Sequence, residues 1–174
     1  MLLHKPAGLD LFSAKAAPFC PQRDARWAGD DSGIRLLQRH FHRLQPLVEL
    51  DASASGLVVL TQDGRVRRRL VEDIAGIEQE FVVEVSGTPA PYALTRLAHG
   101  LSHQGRNLPP CKVSWQSEHR LRFAIKDVRA GQLPHMCAEV GLQVQSIRRL
   151  RIGRVSLAKM PPGTWRYLPP HQRF

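Results

Sequence analysis

The sequence predicts an α+β fold built on a largely antiparallel, mixed sheet with short helices. Three observations predict it. Apolar runs, several of them alternating, recur along the 174 residues. The helical patterns between them are short, and one pair of alternating runs meets across a polar turn as a hairpin.

Met1 to Gly8 reads as a short strand ending in a Lys-Pro-Ala-Gly turn. Residues 10–31 scatter Pro, Gly and Ala without a clear period and read as loop. Ser32 is placed to cap a helix running to about Arg43, with Ile34, Leu37 and Phe41 on one face. Gly56 to Leu60 is a buried strand. Thr61 or Asp63 then caps a helix to about Glu72, whose apolar face is Val66 and Leu70. Phe81, Val83 and Val85 alternate on a strand ending at Gly87. Thr88-Pro89 opens a helix carrying Leu94, Leu97 and Ala98, which Gly100 stops. Val113 and Trp115 face Leu121, Phe123 and Ile125 across Glu118-His119-Arg120. Pro134 opens a further helix that Gly141 ends, with Met136, Cys137 and Val140 available to a core. Two strands follow, over about 143–148 and 151–157.

The chain is long enough for one sizeable core, and is expected to form one domain over residues 1–174. No apolar run approaches the ~20 residues that span a bilayer, and the N-terminus does not have the form of a secretory signal. Three widely spaced cysteines, Cys20, Cys111 and Cys137, form no CxxC pair. Reduced thiols in a cytoplasmic protein are expected, with no metal site; His40 and His42 read as surface histidines. Lys and Arg total 25 against 15 Asp and Glu, a net charge of +10, and twenty of the cations are Arg. The guanidinium fork matches phosphate and stacks on bases, so a nucleic acid is the expected partner. Arg65, Arg67, Arg68 and Arg69 repel one another on one helix, and a phosphate partner accounts for part of them, Arg65 and Arg68 being the candidates. Strand alternation sends Arg149 and Arg151 to one face, a second candidate RNA surface.

Within this basic chain, Asp51 precedes the small-residue turn Ala52-Ser53-Ala54-Ser55 and the buried strand. Such a carboxylate is anchored and partly desolvated. By itself it also fits an ordinary Asx-turn.

Three ordered segments decide between these. They are His4-Lys5-Pro6-Ala7-Gly8; Glu49-Leu50-Asp51 through Asp63-Gly64; and Gln132 through Met136-Cys137, Gly141, Arg148, Arg151-Ile152 and Ser156-Leu157 to Pro162-Gly163-Thr164-Trp165-Arg166. Together they resemble the pseudouridine synthases that modify bacterial ribosomal RNA. The group in question comprises the enzyme lettered A, which acts on small-ribosomal-particle RNA, and those lettered B, E and F, which act on the RNA of the large particle. The resemblance implies the pseudouridine synthase catalytic fold, a ribosomal RNA partner and no cofactor. It implies a uridine flipped into a pocket and isomerised through Asp51, acting on the ribose side as nucleophile or base. Phe81 is implied as the ring that stacks on the base, Leu133 as pocket lining, and Lys5 as a substrate contact. Many members carry a separate N-terminal RNA-binding module, and none is expected here.

Four residues at three places depart from the family pattern. Phe81 stands where Tyr is usual, Val48-Glu49 replaces Gly-Arg, and Pro134 occupies the place of an Arg or Lys that pairs with the catalytic Asp. His135 or a nearby Arg is a candidate substitute. The departures leave open a catalytically inactive RNA-binding homologue of the same fold.

Overall fold

The computed structural model describes residues 1–99 and 101–174. In chain order the strands are β1 (Leu2–Lys5), β2 (Gln45–Leu47), β3 (Ser55–Thr61), β4 (Glu78–Ser86), β5 (Ser102–His103), β6 (Arg106–Asn107), β7 (Lys112–Ser117), β8 (Arg120–Lys126), β9 (Gln143–Ile152), β10 (Val155–Ser156) and β11 (Trp165–Arg166). The α-helices are α1 (Gly64–Glu72), α2 (Ala93–Ala98) and α3 (Gln132–Ala138). One mixed sheet runs in the order β11-β1-β3-β9-β4-β8-β7, with β2 beside β3 and β10 beside β9. Its pairings are antiparallel except for β3 with β9.

Apolar layers cover both faces of the central strands, which explains the unbroken apolar run in β3. Leu57 and Val59 pack with Leu2, Leu70, Ile152 and Met160 on the side of α1. Val58 and Leu60 join Phe81, Val83, Leu97, Leu133, Met136 and Cys137 on the other side, that of α2 and α3. The Val113–Ile125 hairpin forms as its alternation requires, with Val113 opposite Phe123 and Trp115 opposite Leu121.

Four elements differ from the sequence expectation. Residues 32–43 are not an α-helix; they hold one 3-10 turn at Gln38–Phe41. Here tertiary contacts override the weak period. Gly33 and Arg43 adopt left-handed φ values of 67° and 50°, and Phe41 packs edge-on against Trp165. The helix expected from Thr88 begins at Ala93, because Tyr92 takes a left-handed φ of 59° and the preceding turn bonds to Val140. Its expected stop, Gly100, lies outside the described residues. α3 begins at Gln132 rather than Pro134. The proline therefore occupies the first turn, where the helix needs no N–H from it. Finally, the two strands expected over 143–157 are one long strand, β9, and a two-residue return, β10, around Gly153.

Candidate active site

Asp51 sits in the tight connection between β2 and β3, half-buried between the buried Leu50 and Ala54. The Ala54 amide closes the turn by donating to the Asp51 carbonyl at 3.0 Å. The side chain caps nothing local. Its Oδ2 instead accepts a hydrogen bond from the Gly131 amide, 3.2 Å away and 80 positions along the chain. An Asx-turn is thereby excluded: the carboxylate reaches across the fold to the start of α3. Gly131 adopts a left-handed φ of 70°, which turns that amide toward the carboxylate.

Asp51 shares a cavity with Glu49, Leu50, Ala54, Phe81, Val128, Arg129, Ala130, Leu133 and Ile147. The space is about 20 Å³, room for about one water molecule. β4 sets Phe81 on the cavity floor, 2 % exposed, and α3 supplies Leu133 as the wall. The structure thus brings Asp51, Phe81 and Leu133 together. Phe81 belongs to the core and to the cavity at once.

Lys5 is fully buried, and no substrate can reach it as the fold stands. Its Nζ donates to the carbonyls of Leu9 at 2.7 Å, Ala52 at 2.9 Å and Pro6 at 3.1 Å. Burial pulls its pKa down to about 8, partly offset by the negative charges of Asp10 and Asp51. The substrate contact expected of Lys5 is therefore replaced by a brace on the turn that carries Asp51.

Arg149 and Arg151 do not share a face. A register shift where β9 passes Glu80 and Phe81 leaves Leu150 as an extra residue and turns the two arginines apart. Arg149 points inward and is completely buried. Its Nε donates to Leu57 O at 2.7 Å, its Nη2 to Val48 O at 2.8 Å, and its Nη1 to Glu49 O at 2.8 Å and Gln79 Oε1 at 3.1 Å. No phosphate can reach it, which corrects the RNA-binding expectation. Arg151 points outward but pairs with Glu78 at 2.6 Å and Glu80 at 3.0 Å, and those hydrogen bonds occupy its guanidinium. Sequence alternation could not foresee a bulge.

Arg65 and Arg68 are exposed on α1, paired with Asp63 at 3.1 Å and Glu72 at 3.8 Å. Their helix lies on the opposite layer of the sheet from the Asp51 cavity.

At the family's cation position, Pro134 leaves no charge beside Asp51. Among the described residues no cation lies within 4.0 Å of its carboxylate. His135 turns away: its Nε2 lies 2.8 Å from Ser102 O and its ring packs on His103. Arg129 is the cation that lines the cavity. The sequence offered a nearby Arg without singling out Arg129, and the Gly131 amide was missed. The Arg-Ala-Gly immediately before the helix was the available signal.

No family model matches the chain. Several known proteins do. The chain is 30% identical over 186 residues to the ribosomal large subunit pseudouridine synthase E of Xanthomonas campestris pv. campestris, covering 95% of this chain and 93% of that protein. It is 27% identical over 140 residues to the dual-specificity RNA pseudouridine synthase RluF of Escherichia coli K12, covering 80% of this chain and 48% of that one. It is 26% identical over 155 residues to the ribosomal large subunit pseudouridine synthase B of Bacillus subtilis, covering 83% and 64%. The chain thus spans about half the length of the Escherichia coli relative and about two thirds of the Bacillus subtilis one. A crystal structure of a pseudouridylate synthase superposes with a TM-score of 0.68 over 93% of this chain at 20% identity, showing the same fold.

Proposed function

Because this chain belongs to the ribosomal pseudouridine synthases, we propose that it isomerises uridine to pseudouridine in ribosomal RNA, in the cytoplasm, with Asp51 as the catalytic residue. One observation carries the assignment: the Asp51 side chain is held by a distant backbone amide, in a cavity with an aromatic floor and an aliphatic wall.

The proposed reaction uses these parts in order. The target uridine leaves its stack, at a cost of a few kcal/mol, and its uracil enters between Phe81 and Leu133. The cavity is too small for a base as it stands, so the segment Val128–Gly131 moves to admit it, and the Gly131 amide releases the carboxylate. Asp51 then acts on the ribose side while the glycosidic bond breaks. The N1–C1′ bond is the one broken; the uracil turns, C5 bonds to C1′ and frees Asp51, and the C5 proton passes to solvent while N1 takes one up. The Lys5 ammonium, buried behind the Asp51 turn, braces that turn through the Ala52 carbonyl. Arg129 at the cavity rim is placed to meet a phosphate flanking the extruded nucleotide. Arg65 and Arg68 contact RNA that continues onto the α1 layer.

Release of tritium from ribosomal RNA labelled at uridine C5 tests the reading. Asp51→Asn is expected to abolish release while RNA affinity stays within about threefold, because many cations and one carboxylate divide binding from chemistry. Equal release from both proteins refutes the role of Asp51. The absence of a side-chain cation at Asp51 favours a second reading, an RNA-binding homologue without turnover. Tight RNA binding with no release by the unaltered protein is its signature.

A further inference from the structure

Arg149 is the most completely buried cation that the chemistry above leaves unused, and its contacts converge on the segment before Asp51. Two of its nitrogens hold the carbonyls of Val48 and Glu49, three and two residues upstream of the carboxylate. Val48 needs holding: it is β-branched yet adopts a left-handed φ of 62°, a conformation such residues avoid. On the other side of the turn, Arg149 Nε holds Leu57 O, and the Arg149 backbone passes so close to Gly56 that a Cβ there would lie 2.3 Å from the Arg149 carbonyl. Gln79 on β4, two residues from the Phe81 floor, accepts from the same guanidinium at 3.1 Å. One planar, rigid group therefore ties the entry to the Asp51 turn, its exit and the strand beneath the cavity. Lysine cannot reproduce this, since it offers a point charge instead of a fork.

We infer that Arg149 is a positioning residue for the isomerisation, fixing the carboxylate of Asp51 over Phe81 by clamping the Val48–Glu49 backbone. The inference rests on the assignment of catalysis to Asp51. A misplacement of about 1 Å at such a group costs about 100-fold in rate.

The test compares Arg149→Met, Arg149→Lys and Gln79→Met with the unaltered protein and Asp51→Asn, using C5 tritium release, RNA affinity and amide hydrogen exchange. Arg149→Met is expected to lower kcat about 100-fold, with RNA Kd within about threefold because the side chain never meets RNA. Amides of residues 49–54 exchange faster while those of β4 keep their protection. Arg149→Lys recovers part of the rate. Should Arg149→Met fail to fold, Gln79→Met keeps the guanidinium and removes one acceptor; a fall in kcat of about fivefold to tenfold is then expected. Unchanged kcat in the folded variants overturns the inference, as does a loss confined to KM. So does a lowered melting temperature with residues 49–54 still protected. If the unaltered protein itself releases no tritium, the catalytic assignment fails instead, and the exchange pattern alone decides whether Arg149 clamps the turn.

Discussion

Asp51 shows how much one residue's meaning depends on where its side chain goes. Next to Ala-Ser-Ala-Ser it has the sequence of a turn-former, and the backbone does turn there. Only the bond to Gly131 carries its side chain across the fold instead of back onto its own turn. Phe81 carries two duties at once: buried in the core, it also faces the cavity. Phe81→Ala should therefore cost about 3–5 kcal/mol of stability through the void it leaves, measurable by chemical denaturation. It should also abolish turnover at temperatures where the variant remains folded. A loss of stability without a loss of rate would show that the ring is core only.

At the scale of the element, the Asp51 turn is held by two buried cations, Lys5 from β1 and Arg149 from β9. Lys5 links the fold to pH. Its pKa in the folded protein is about 8 against 10.5 for an unburied lysine, chiefly because burial disfavours the ammonium. Between these values the unfolded chain holds a proton that the folded chain has released, so stability from this group rises with pH across that window. The stability difference between the unaltered protein and Lys5→Met, taken from denaturant titrations over about pH 8 to 10.5, should grow with pH; the buried thiols of Cys111 and Cys137, held up at about 11 and about 12, lower stability in both proteins alike across the upper part of that window. A parallel pH dependence in the two would remove Lys5 as its source. The element boundaries that sequence missed have the same kind of cause. Pro134 marks the first turn of α3 but not its first residue, and Tyr92 in a left-handed conformation delays α2.

For the whole molecule, the layering separates charge from chemistry. The cavity opens on the α2–α3 side, while the arginines of α1 lie on the other. RNA that uses both must extend around the edge of the sheet. Binding should weaken steeply with salt, with a log–log slope near −0.7 for each phosphate neutralised on a single strand. Replacing both Arg65 and Arg68 by Ala should make that slope shallower by about 1.4 and raise KM. An unchanged slope would assign both arginines to their helix partners Asp63 and Glu72, with no role toward RNA. Among the described residues no helix is long and apolar enough to cross a membrane.

The sequence by itself determined the basic character of the chain, the α+β class, the hairpin, the buried β3 and the position of Asp51. The first four rest on composition or on patterns a few residues long, and Asp51 on three ordered segments from His4 to Arg166. Tertiary structure alone decided that Lys5 and Arg149 face inward, that Arg151 is neutralised by Glu78 and Glu80, and that Gly131 and Arg129 meet the cavity. The reason is physical. A charged side chain reads the same in sequence whether water or three backbone carbonyls surround it. Which one does depends on a bulge in β9, a left-handed Val48 and contacts between residues up to about a hundred positions apart, and no local pattern encodes these.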